Sequence, residues 1–134
     1  MREAKRVVSD DGLVFIAYIN KTFALAYFMK NGIYFSKEEY DEFSKPTWTR
    51  RDFHDSFLNI SYFSTPEDIE HEVTVSGLRI LEHSATDGIY TMMKSSIEAM
   101  NDDEFTALRE YHISTAHLYS GLGASSHNII VAKK

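Results

Sequence analysis

Leu13-Val-Phe-Ile-Ala-Tyr-Ile19 and Thr22-Phe-Ala-Leu-Ala-Tyr-Phe-Met29, separated by Asn20-Lys21, make up the most apolar stretch of the chain, and its reading decides the fold. Asp11-Gly12 before it and Asn31-Gly32 after it are dipeptides that tolerate the positive φ of tight hairpin turns, with Asn20-Lys21 a weaker turn between them. Read this way, the first third predicts strands near 4–9, 13–19, 22–29 and 33–36, an N-terminal antiparallel β-meander. In 13–19 both alternating sets are apolar: Leu13, Phe15, Ala17 and Ile19 on one side, Val14, Ile16 and Tyr18 on the other. A strand with that pattern is covered on both faces. The second face therefore needs a cover, and a homodimer is one expectation.

Beyond residue 36 the punctuation changes to helix signals. Ser36-Lys-Glu-Glu39 and Thr49-Arg-Arg-Asp52 resemble capping boxes, and Thr65-Pro66 places an N-cap before a first-turn proline. Helices are expected near 37–44, 50–60 and 66–73, the second pinned by Phe53, Phe57 and Ile60. Lys45-Pro-Thr-Trp48 reads as a loop. From His71 to Ala85, Val73 and Val75 suit a strand, but Val75, Leu78, Leu81 or Glu82, and Ala85 also fit a helix, and helix is preferred. Thr86-Asp87-Gly88 restarts a helix striped by Ile89, Met92 or Met93, Ile97 and Met100. Asn101 caps another, with Glu104 at its third position, that carries its stripe from Phe105 to Gly123. Asn128-Ile-Ile-Val-Ala132 is short and β-branched, so a C-terminal strand returns to the sheet. The fold class is α+β: the meander packed against C-terminal helices, in one domain spanning 1–134.

The chain has 134 residues, 43% hydrophobic and 25% charged, which suits a folded core rather than disorder. Cysteine is absent, so disulfides, thiolate metal sites and thiol nucleophiles are excluded. The charged start, Met1-Arg2-Glu3-Ala4-Lys5-Arg6, does not read as a secretory leader, and Asn20-Lys21 interrupts the apolar stretch too early for a membrane span. A cytoplasmic protein without membrane contact is expected.

Charge is unevenly placed. Between Glu67 and Glu104 stand ten acids and only two bases, Arg79 and Lys94, a local balance of −8 in a chain of net −6. Negative potential on the helical half disfavours nucleic acid and favours a basic protein partner. Glu98, Asp102, Asp103 and Glu104 are the proposed contacts, together with Trp48 and Tyr40, an aromatic pair near Arg50 and Arg51 of the kind enriched at binding hot spots.

Candidate chemistry is thin. His112 and His117 stand i, i+5, about 140° apart around a helix, a poor metal pair. His83 and Asp87, at i, i+4, suggest an oriented acid–base couple that the Asp87-Gly88 break disrupts. No serine occupies a strained nucleophile turn, and the small-residue run 120–126 follows a helix instead of preceding one, the reverse of a phosphate loop. No metal or cofactor is expected. The sequence leans away from an enzyme and toward an inhibitor or neutralising protein, by analogy of size and charge with immunity or phage-encoded inhibitors. The alternative is a small enzyme or ligand-binding domain with a pocket between sheet and helices lined by Tyr18, Tyr27 and one of His83, His112 or His117.

Overall fold

The computed structural model describes residues 1–51 and 60–134. In chain order the elements are α1 (Arg2–Val7), β1 (Leu13–Asn20), α2 (Lys21–Lys30), α3 (Lys37–Phe43), β2 (Thr47–Arg51), β3 (Ile60–Ser64) and α4 (Pro66–Val75). There follow β4 (Arg79–Ala85), α5 (Tyr90–Glu98), α6 (Asp102–Thr115), α7 (Tyr119–Ala124) and β5 (His127–Lys133). The strands form one sheet in the order β2-β3-β1-β5-β4. β1 runs parallel to β3 and antiparallel to β5; β2–β3 and β4–β5 are antiparallel. The class is mixed α+β, but the N-terminal meander is not formed.

The decisive difference lies at Asn20-Lys21. Instead of turning a hairpin, the Asn20 side chain accepts hydrogen bonds from the Thr22 and Phe23 amides at 3.0 and 3.3 Å and caps a helix. Residues 22–29, expected as a strand, continue as α2, whose Phe23, Ala24 and Phe28 are buried at helical spacing. Lys21 is buried too, and its Nζ donates to the Lys45 carbonyl at 2.6 Å, a contact that a hairpin turn would not provide. The strand expected at 4–9 is replaced by α1, and 33–36 is in no strand.

Three other boundaries move. The helix expected over 50–60 begins and ends in strands β2 and β3, while 52–59, with Phe53, His54 and Phe57, lie outside the described residues. The preferred helix over 71–85 stops at Val75. Ser76 Oγ donates to the Val73 carbonyl at 2.6 Å, and Gly77 adopts a φ of 81° that turns the chain into β4. The last helix ends at Thr115, and a separate α7 follows. The helices near 37–44 and 66–73, the Asn101–Glu104 capping box and the returning strand all form. The returning strand takes an interior place, between β1 and β4.

The two apolar sides of β1 have separate covers. Tyr18 packs with Ile69 and Val73 of α4, Leu78, Ile130 and Ala132, flanked by Val14 and Ile16. On the opposite side Ile19, Phe63 and Trp48, aligned across three strands, meet Ala24 and Phe28 of α2. Toward the start of β1 that second side is open: Leu13 is 48% exposed and Phe15 64%. No helix among the described residues is long and apolar enough to cross a membrane.

Ile130, fully buried between β1 and α4, and Phe15 therefore predict opposite outcomes. Ile130→Ala is expected to cost about 2–5 kcal/mol in urea unfolding, and Phe15→Ser about 0.5 kcal/mol or less. Comparable losses would mean that the open side is covered.

Candidate functional site

At the end of β4 the turn Thr86-Asp87-Gly88 is fastened to the start of β5. Ser125, fully buried, receives the Gly88 amide at 3.0 Å and the Asp87 amide at 3.3 Å on its Oγ. Its hydroxyl faces two acceptors, the Asp87 carboxylate and the His127 carbonyl. The Asp87 carboxylate also receives the His127 amide at 2.9 Å, the His127 ring through Nδ1 at 3.1 Å, and Thr91 Oγ1 at 3.2 Å. Burial alone would raise the Asp87 pKa, but the hydrogen bonds from His127 and Ser125 outweigh it and hold it at about 2. The same contact raises the His127 pKa, against the opposing effect of its own burial. The hydroxyl of Ser125 is thus spent on acceptors and does not face an imidazole base, so these three residues do not form a nucleophilic triad.

The fastened turn forms one wall of a cleft of about 410 Å³, closed elsewhere by α5, α6 and α7. Its apolar lining includes Ile89, Ile97, Phe105 and Leu108, and its charged or titratable groups include Asp87, Arg109 and His112. Gly88 lets α6 approach. Its φ of 51° lies in the left-handed region, and a Cβ there would fall 2.8 Å from His112 Nδ1. The His112 ring therefore rests on the backbone of the turn. Arg109 lies one turn earlier on the same helix, and no ion-pair or hydrogen-bond partner is found for its guanidinium among the described residues.

A second polar constellation lies under α4 and does not line the cleft. His83, buried on β4, contacts Tyr18 Oη through Nε2 at 2.9 Å and Glu70 Oε1 through Nδ1 at 2.6 Å. Glu70 Oε2 in turn receives the Tyr119 hydroxyl at 2.7 Å, and Asn128 donates to Tyr18 Oη at 3.2 Å. Burial pushes the Tyr18 phenol up; the Asn128 hydrogen bond opposes this and the negative charge of Glu70 adds to it. The phenol of Tyr119 is raised by its hydrogen bond to Glu70. With a neutral imidazole, Tyr18 donates to Nε2 and Nδ1–H donates to the carboxylate, while the buried Oδ1 of Asn128 has no hydrogen-bond partner among the described residues. Both ring nitrogens of His83 are occupied.

The residues singled out from the sequence are dispersed by the fold. Of the three histidines, His112 lines the cleft, His83 belongs to the buried chain, and His117 is exposed just past α6. The His83–Asp87 couple is not formed, because each takes another partner. Tyr27 is 40% exposed on α2 and does not join Tyr18. Trp48 lies on β2 instead of in a loop, its ring 4.8 Å from Phe63 and 5.0 Å from Phe43, while Tyr40 stacks edge-on with Phe35. Glu98 meets Lys94 and Tyr90, Glu104 closes its capping box, and Asp102 and Asp103 are exposed in the first turn of α6.

Other acids of the same stretch are engaged within the fold: Glu70 and Asp87 as above, and Glu72 with the Tyr62 hydroxyl. Arg109 and the Asp87–Ser125–His127 fastening are not among the sequence expectations. The fastening joins residues 38 to 40 positions apart and leaves no local signal. Arg109 is visible beside Phe105, Leu108 and His112, but that stripe reads as core. Among the described residues no group of three or more His, Asp or Glu side chains is placed to hold a metal. No protein-family model matches the chain, and no curated protein shows significant sequence similarity to it.

The Asp87–His127 pair fixes a pH dependence. Asp87 is depressed from 3.8, so its contribution is present above that value and disappears as pH falls toward 2. His127 is raised from 6.5, so its contribution is complete below 6.5 and is lost as pH rises through the raised value. The Tm difference between the wild-type chain and His127→Gln is expected to be greatest between about pH 4 and 6.5 and to shrink in mildly alkaline buffer. A constant gap across neutral pH would show that the ring does not act as a cation.

Proposed function

We propose that the protein binds a small, largely apolar molecule in the cleft between the Thr86-Asp87-Gly88 turn and helices α5 to α7. The observation that carries this reading is the state of α6. It is fourteen residues long, yet none of its side chains is buried, and Phe105, at 49% exposure, faces the cleft with Leu108. Most helical stability in proteins comes from burying an apolar face. Full burial of a phenylalanine is worth roughly 1.5–3 kcal/mol, so a guest against Phe105 supplies what the fold withholds. A volume of about 410 Å³ lies within the range of small-molecule pockets. The lining is mostly apolar with few convergent polar groups, which suits binding and positioning.

The uncharged apolar fluorophore N-phenyl-1-naphthylamine tests the cleft. It is expected to bind the wild-type chain with saturable fluorescence, and Ala124→Phe, which fills the cleft from α7, should abolish that signal while leaving circular dichroism intact. Equal binding by the variant would place the dye elsewhere and remove the reading.

A second reading, that of an inhibitor or neutralising protein docking on a basic partner, is favoured by Asp102 and Asp103. Both are exposed, and neither has a side-chain partner among the described residues. Their position at a helix N-terminus stabilises α6 by about 0.3–1 kcal/mol each, which accounts for them without a partner. If they dock, the double reversal Asp102→Lys with Asp103→Lys abolishes the retention of a basic protein that wild-type chain holds at low salt and releases at high salt. Retention unaffected by the reversal excludes this face.

A further inference from the structure

We infer that the cleft's ligand carries a carboxylate, held by Arg109 and His112 while its apolar body lies on Phe105 and Leu108. The inference rests on the cleft being a ligand site and adds the chemical class of the ligand. Arg109 and His112 stand at i, i+3, neighbours on one surface of α6, and both line the cleft. Among the described residues Arg2, Lys5, Lys30, Arg79, Arg109 and Lys133 reach no carboxylate within the chain, and of these Arg109 is the one that lines the cleft. The carboxylate on the cleft wall, that of Asp87, is already engaged by His127, Ser125 and Thr91 and has no need of a further cation.

A permanent guanidinium charge beside an apolar wall is best satisfied by an anion that arrives with apolar surface attached. The acids at the start of α6 do not cancel it. Asp102, Asp103 and Glu104 lie five to seven residues away, roughly 8–10 Å of helix rise, which is about one screening length at physiological salt. The donor set favours a carboxylate over a phosphate. The Arg109 fork matches two oxygens, and the imidazole of His112, seated against Gly88, adds one N–H in its neutral form. A phosphate dianion would call for more cations than the cleft offers.

Isothermal titration of the intact chain with decanoate, decanol and decyltrimethylammonium separates the possibilities. Decanoate is expected to bind about tenfold or more tightly than decanol, the worth of a charge-assisted hydrogen bond. Arg109→Gln, a replacement that preserves helix propensity, should erase that advantage, so that decanoate and decanol bind alike, and His112→Gln should reduce it in part. If decanol binds as well as decanoate, or the ammonium binds best, the carboxylate inference fails and the cleft remains a ligand site. If none of the three binds and the fluorophore also fails, the cleft reading falls with it.

Discussion

Asn20 is the residue through which sheet, helix and cleft are joined. It is fully buried, and both ends of its amide are engaged. Oδ1 caps α2, and Nδ2 donates to the Leu122 and Gly123 carbonyls at 2.8 and 3.2 Å. Its backbone amide bonds to the Ser126 carbonyl at 2.8 Å. One residue thus ends β1, begins α2, and donates to two carbonyls at the end of α7. Because α7 and the Ser125 turn help to form the cleft, the cleft's shape is tied to the exit of the central strand, with 102 positions of chain between Asn20 and Leu122. Asn128 adds to the same point, reaching the Leu122 carbonyl at 3.3 Å from the neighbouring strand.

That junction also explains which parts of the fold are legible in the sequence. The helix starts and the terminal strand hold: the Ser36–Glu39 and Asn101–Glu104 boxes, the Thr65-Pro66 start and the β-branched run in β5 all form as expected. The apolar run after Asn20 carries two compatible signals. Aromatic density at 22–29 suits a strand, but Phe23, Ala24 and Phe28 also lie on one helical face, and the choice rests on whether Asn20 turns a hairpin or caps a helix. The Leu122 and Gly123 carbonyls that receive the Asn20 amide favour the cap, and they lie far beyond any local window. The same is true of β4, whose helical spacing loses to long-range pairing with β5. At the cleft, His112 stands out in the sequence as a titratable group, whereas its neighbour Arg109 merges with a stripe that has the spacing of a core.

The two polar clusters divide the molecule's electrostatics. The chain from Asn128 through Tyr18 and His83 to Glu70 and Tyr119 is linked by hydrogen bonds and runs from the sheet centre to the surface of α7. The Asp87 cluster holds a turn against β5. Acidic residues that look like one outward field in the sequence are therefore shared between hydrogen bonds, helix starts and open surface. On the cleft wall the Arg109 guanidinium has no ion-pair partner among the described residues.

The place of β5 bears on how the chain reaches this state. Its residues fill the gap between β1 and β4, with Ile16 opposite Ile130, so β1 and its neighbour β5 come from segments more than a hundred positions apart. Closing so long a loop costs entropy before any contact is gained. Until His127–Lys133 slots in, β4 has no neighbour in the sheet and Tyr18 lacks Asn128. The strands β2, β3 and β1 can pair without it, so the final segment is the seam that fastens β4 to the rest of the sheet.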